Sequence, residues 1–330
     1  MATYKGIQGY SVQSLASDPT AEDTIGQLWY NSASNVWKVS VTGDGAWSSG
    51  GNINTPGYGP GGLGIQTAAM KFGGKNPAAG TQTDTSETYN GTAWTEGGNI
   101  GAGTYGNAGF GTTTAGVNAC GAPPTGGKTT VESWNGTSWT AATAVNTGRY
   151  LVHGIGTQTA GIIVGGNPGS KAIVETYDGS TWTETGDLTT GRGSAALAGT
   201  STATLASGGG SGNGLGVVES FNGTSWTETT DLNSDRANPN GGGAANTAAL
   251  VFGGTSPPGQ SITGKTEKWD GSTWTETGDL ATPRELLGAG QTGPSSVSLA
   301  FTGVVPGTGP TTATEEWNDP VFAAKTVTTS

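Results

Sequence analysis

One nine-residue unit, Glu–x–aromatic–(Asn/Asp)–Gly–x–x–Trp–Thr, recurs at residues 87–95, 132–140, 175–183, 219–227 and 267–275. A unit repeated at a period of 43 to 48 residues constrains the fold more than any other feature. Each copy is one supersecondary block that buries its apolar face only against its neighbours. A sixth copy begins at Glu315-Glu316-Trp317-Asn318 and breaks off at Asp319-Pro320. Its other half stands at the opposite end of the chain. Gly45-Ala46-Trp47-Ser48-Ser49-Gly50-Gly51-Asn52-Ile53 parallels Thr92-Ala93-Trp94-Thr95-Glu96-Gly97-Gly98-Asn99-Ile100.

Each period also holds an apolar run, at 68–74, 115–121, 160–166, 203–209, 248–254 and 297–303, four of which end in Gly-Gly. Four short strands account for a period: a small, glycine-rich strand, the apolar run, the Glu–x–aromatic strand, and an outer strand beginning at the Trp. Asn-Gly or Asp-Gly between the last two predicts a type I′ hairpin turn, in which both central residues take φ > 0. The 62 glycines disfavour long helices, and the 11 tryptophans require burial. These readings give an all-β chain: a six-bladed β-propeller of four-stranded blades, closed by an N-terminal strand near Trp47 that completes the C-terminal blade. Residues 1–40 form an N-terminal hairpin and attachment segment, 41–319 the propeller, and 320–330 a C-terminal tail. The double glycine, the aromatic and the spaced Trp resemble the kelch repeat family over residues 41–319.

The repeat places its own variation. From the last glycine of the apolar run to the next Glu the chain takes 9 to 13 residues, whereas Glu to Trp is always seven. Loop variation thus gathers on one face, where binding function concentrates. The four arginines, Arg149, Arg192, Arg236 and Arg284, each lie ten residues after a repeat Trp, and Lys75, Lys128, Lys171 and Lys265 lie in loops on the same face. Two readings are open. These cations line an anion-binding mouth for phosphate or acidic sugars, or each arginine pairs with a repeat Glu. The repeat tryptophans are expected between blades rather than on sugars, and Glu96, Glu184, Glu228 and Glu276 are expected to blunt the outer strand edges. Asn90, Asn135 and Asn222 match glycosylation sequons but read as turn residues, because Asp178 and Asp270 fill the same place.

A net charge of −11 argues against nucleic-acid partners and anionic membranes, and no run is apolar enough to span a bilayer. The first residues lack a basic start with an apolar run, so synthesis in a cytoplasm is expected. Cys120 is the one cysteine and His153 the one histidine. A two-histidine metal site, as in copper radical oxidases with kelch-like propellers, is excluded. Asp178-Gly179-Ser180 and Asp270-Gly271-Ser272 look somewhat like sialidase Asp boxes but lack the residue those boxes place between Asp and Gly. No glycine stretch has phosphate-loop spacing. No catalytic residue, metal or cofactor is expected.

Before the first blade, Gly26-Gln27-Leu28-Trp29-Tyr30-Asn31 opens a hairpin pattern that runs to Val39. With Tyr4-Lys5-Gly6-Ile7-Gln8-Gly9-Tyr10 upstream, it resembles segments of tail-fibre and other virion structural proteins of tailed phages, particularly marine cyanophages. That resemblance implies a non-enzymatic virion protein, in tail or capsid. Residues 1–40 would meet other virion proteins, and the variable loop face would meet a host-surface glycan or protein. The alternatives are a sialidase-like glycan-processing enzyme and an intracellular kelch-type interaction scaffold.

Overall fold

The computed structural model describes residues 13–19, 27–42, 45–76, 80–122, 126–210, 214–319 and 322–327. The chain divides into two compact units, 46–318 and 1–45 with 319–330.

The larger unit holds six four-stranded antiparallel sheets among its described residues. Gly61–Ile65, Ala68–Phe72, Ser86–Tyr89 and Trp94–Glu96 form the first. Ala108–Thr112, Ala115–Ala119, Val131–Trp134 and Trp139–Ala142 form the second. The third runs His153–Thr157, Ala160–Val164, Val174–Tyr177, Trp182–Glu184, and the fourth Ala196–Thr200, Ala203–Ser207, Val218–Phe221, Trp226–Glu228. Asn240–Ala245, Ala248–Phe252, Thr266–Trp269 and Trp274–Thr277 make the fifth. The sixth takes Gly288–Gly290, Val297–Phe301 and Thr314–Asn318 from the chain's end and Ala46–Ser49 from near its start, with Trp47 opposite Trp317. Repeated sheets of this kind are the architecture of a β-propeller.

Burial is least on the last strand of each sheet. The apolar second strands are buried on both faces, while the outer strands keep the Trp inside and expose the residues after it. The first strands are glycine-rich because neighbouring sheets approach closely there. A Cβ on Gly62 would lie 2.5 Å from the carbonyl of Ala289, and one on Gly109 would lie 2.3 Å from that of Gly62.

Among the described residues, the core is divided among six clusters, each between successive sheets. Trp182 of the third sheet packs with Phe110 of the second, and Trp139 of the second packs on Phe72 of the first at 4.9 Å. Ile53, Ala69, Tyr89 and Trp94 pack with Leu299 and Phe301, which joins the sixth sheet to the first. Each aromatic pair adds about 0.5–1.5 kcal/mol beyond its buried area.

The link between third and fourth strands corrects the turn prediction. Tyr89 is paired directly opposite Trp94, so four residues remain in the loop rather than two. Only glycine there takes a left-handed conformation, at φ 88° for Gly91. Asn90 Oδ1 accepts from the N–H groups of Thr92 and Ala93, and Asn135 and Asn222 repeat the arrangement. A side-chain acceptor satisfies the loop amides, so no type I′ turn is needed. Asp178 and Asp270 also accept from neighbouring hydroxyls. Backbone N–H groups, first that of Thr181 for Asp178 and that of Thr273 for Asp270, hold both carboxyls well below the usual range.

In the smaller unit, Gln13–Leu15, Leu28–Asn31, Val36–Thr42 and Phe322–Thr326 form one sheet in that order. The predicted hairpin is the pair Leu28–Asn31 and Val36–Thr42. Phe322–Thr326, within the segment read from sequence as a tail, pairs with Val36–Thr42. Trp29 is buried, and Lys38 Nζ lies 2.5 Å from Asp18 Oδ2. The stretch Tyr4 to Tyr10 lies outside the described residues.

Candidate binding site

The repeat Glu has one task in all six sheets: its carboxylate accepts backbone N–H bonds from the segment that leads into its own sheet. Glu175 accepts from Asn146 and Thr147, Glu219 from Thr189 and Thr190, and Glu315 from Ala281 and Thr282. Glu267 accepts from Asn233, Glu87 from Asn54 and Thr55, and Glu132 from Gly101. The carboxylate thereby fixes the entering chain, and it is buried in five of the six sheets.

A buried carboxylate needs a counter-charge. Sheets three to six supply it from the arginine ten residues after the preceding Trp. Arg149 Nη1 lies 2.5 Å from Glu175 Oε1, Arg192 Nη1 2.8 Å from Glu219 Oε1, and Arg284 Nη1 2.9 Å from Glu315 Oε1. Arg236 pairs with Glu267. All four arginines are 0% exposed. Burial pulls Arg192, Arg236 and Arg284 down from the usual arginine range, and the paired glutamate works against that shift.

Of the two readings left open by the sequence, these ion pairs remove the anion-binding mouth: no guanidinium of the set reaches solvent. The lysines do not assemble either. Lys265 pairs with Glu276 at 2.6 Å, and Lys128 donates to the carbonyl of Gly103 at 3.1 Å. Lys75 borders a cavity of about 230 Å³ with Tyr58, Tyr105 and Tyr150. Lys171 is half-buried in its loop.

Sheets one and two lack the arginine; Gly57 and Thr104 stand ten residues after Trp47 and Trp94. Both change the same position on the second strand, directly opposite the Glu. That position is Ile163, Ala206, Val251 or Ala300 in sheets three to six. It is Lys71 opposite Glu87 in the first sheet and Asn118 opposite Glu132 in the second. Lys71 is buried, with Nζ 3.9 Å from Glu87 Oε1. Its burial lowers the ammonium from the usual lysine range, and Glu87 opposes that shift.

The second sheet has no such cation opposite its Glu. Asn118 Nδ2 donates to Glu132 Oε2 at 3.0 Å, and Asn107 Nδ2 donates to Asn118 Oδ1 at 2.8 Å. A cavity of about 320 Å³ opens beside the carboxylate, lined by Gly101, Thr104, Asn118, Lys128, Ala141 and Ala144 among others. Glu132 is the one repeat glutamate that is only half-buried. Cys120 also borders this space, and burial pushes its thiol up to about 12, so it is neutral. Sequence reasoning missed this site. Its signal was the column of arginines, read for the four positions it filled and not for the two it left.

Two residues beyond each arginine position, Gly59, Gly106, Leu151, Ser194, Asn238 and Leu286 all take φ between 50° and 65°. These six, one from the segment entering each of the six sheets of the larger unit, line one small opening beside His153. For the non-glycines this conformation costs about 1 kcal/mol or more each. Burial lowers His153 to about 4, so its ring is neutral at pH 7. Among the described residues, no group of three or more His, Cys, Asp or Glu side chains is placed to hold a metal ion.

No protein-family description and no curated protein matches the sequence. Among solved structures, one titled "Structure of YjhT" has a TM-score of 0.69 to this chain at 14% identity. The match covers 84% of this chain and 100% of that one. YjhT has a propeller-type fold, and the likeness is one of fold alone.

Proposed function

We propose that the chain is a non-enzymatic phage virion protein, in tail or capsid. In this reading it presents a six-bladed, kelch-type propeller that is closed by Ala46–Ser49. The cluster joining Trp94 to Phe301 supports closure, because it packs the first sheet on the sixth as the other clusters pack their neighbours. The carrying observation is the smaller unit. The phage-like phrase Gln27-Leu28-Trp29-Tyr30-Asn31 spans a strand of a separate compact body with its own four-stranded sheet and the buried Trp29. A body distinct from the repeats suits attachment to other virion proteins. The loop face of the propeller then meets a host-surface glycan or protein. A sialidase-like reading loses its motive, since the arginines it would use to clamp a carboxylate are spent in buried ion pairs.

Mass spectrometry of purified particles tests the reading. The expected result is the chain at structural stoichiometry. Its absence from particles while it is present in the infected-cell lysate would overturn the proposal in favour of an intracellular scaffold.

A further inference from the structure

The cavity in the second sheet lies where sheets three to six place a guanidinium of their own. Three replacements hollow it out together. Thr104 stands for the arginine. Ala141, opposite Glu132, stands for Glu184, Glu228 and Glu276. Ala144, five residues after Trp139, stands for Asp187, Asp231 and Asp279. Each exchange removes side-chain volume from one place, and the volume that results is within the range of about 300–1,000 Å³ for small-ligand sites.

What remains is the acceptor half of the repeat's ion pair. Glu132 is still held by the entering chain, through Gly101 N–H at 2.6 Å. Each of its oxygens accepts one protein bond, from Gly101 or Asn118, and carboxylate oxygens carry a further lone pair each. Arg192 and Arg284 also donate to the backbone carbonyls of Ala206 and Ala300. Asn118 occupies that same position in the second sheet and borders the cavity. Thr104 borders it too, with its hydroxyl buried and without a hydrogen-bond partner. Lys128 does not oppose a cation here. The third sheet carries Lys171 at the same place, four residues before its Glu, together with Arg149. The first sheet has no comparable demand, because Lys71 is built in.

We propose that this cavity binds an alkylguanidinium group from outside the chain, with Glu132 as its carboxylate partner and the Asn118 carbonyl as a second acceptor. A guanidinium fits better than an ammonium because its planar fork can donate to both acceptors at once. The proposal does not depend on the virion reading, and each can fail without the other.

Calorimetric titration of the full chain tests it, with ethylguanidinium, agmatine, a Gly-Arg-Gly peptide amide and n-propylammonium. The expected result is saturable one-site binding of ethylguanidinium. It should weaken about tenfold or more in Glu132→Gln and vanish in Thr104→Arg, where the repeat's own arginine is restored. Tighter binding of agmatine than of the peptide identifies a free small molecule as the source, and the reverse order identifies an arginine side chain of a partner. The proposal is overturned if the wild type shows no saturable binding, or if Glu132→Gln binds unchanged. Equal binding of n-propylammonium overturns it as well. The Glu132→Gln result decides the matter even if Thr104→Arg does not fold.

Discussion

Sheets three to six neutralise the repeat glutamate with a buried arginine, whereas sheets one and two depart from them and from each other. The first takes a lysine from the neighbouring strand. The second takes an amide and leaves its carboxylate half-buried beside a cavity. The constant in all six is the anion and the backbone N–H groups it holds. The cation is interchangeable, because its work is to offset the desolvated charge and not to shape the loop. Where a repeat can change its counter-charge without losing its scaffold, it can also turn that place into a site.

Removing the arginine from a fully paired sheet tests this with the largest effect. Arg192→Leu strands Glu219 at 0% exposure and should destabilise the fold by about 3–5 kcal/mol. Adding Glu219→Leu should return part of that loss in a thermal-denaturation cycle, but not the part due to the N–H bonds of Thr189 and Thr190. If the double variant is as stable as the wild type, the carboxylate's role as backbone anchor is wrong. Lys71→Met should come next, at about 2–3 kcal/mol, since its contact with Glu87 is longer and Asn54 still donates to that carboxylate. A negligible shift in denaturant midpoint would show that Lys71 is not the arginine's substitute. Asn118→Ile, which copies Ile163 of the third sheet, should cost least, about 1–2 kcal/mol. Water can reach Glu132, and the main loss is the partner of Asn107. An effect as large as that of Arg192→Leu would mean that the second sheet is as closed as the others.

The repeat pitch, the four strands per unit, the tryptophans between sheets and the pairing of the two half-copies at Trp47 and Trp317 were legible in sequence. Each rests on a periodic demand: glycine where backbones crowd, large aromatic area where sheets meet, Glu where the entering chain needs an acceptor. Several details were not legible. Asn-Gly is compatible with a two-residue turn and with a four-residue loop closed by the Asn side chain, and only the register Tyr89 opposite Trp94 separates them. Left-handed backbone is signalled by glycine at Gly59 and Gly106, but Leu151 and Leu286 adopt it with no local signal, because packing around the opening imposes it. Cys120 and Thr302 likewise take the left-handed conformation of the glycines they replace. The cavity beside Glu132 was hidden for another reason. It arises from Thr104, Ala141 and Ala144 jointly, and each looks innocuous alone.

The strand Ala46–Ser49 has a further consequence, in time rather than space. Ser48 bonds to the carbonyl of Glu316, 268 residues later in the chain. At about 5–20 residues per second of synthesis, that strand leaves the ribosome roughly 10–50 s before its partner exists. For that interval the nascent chain carries an unpaired edge near its beginning, while five complete sheets accumulate behind it. The last sheet is therefore assembled only after residue 318 has been made, and a ribosome that stops short of residue 314 releases a product that lacks the strand with which Ala46–Ser49 pairs.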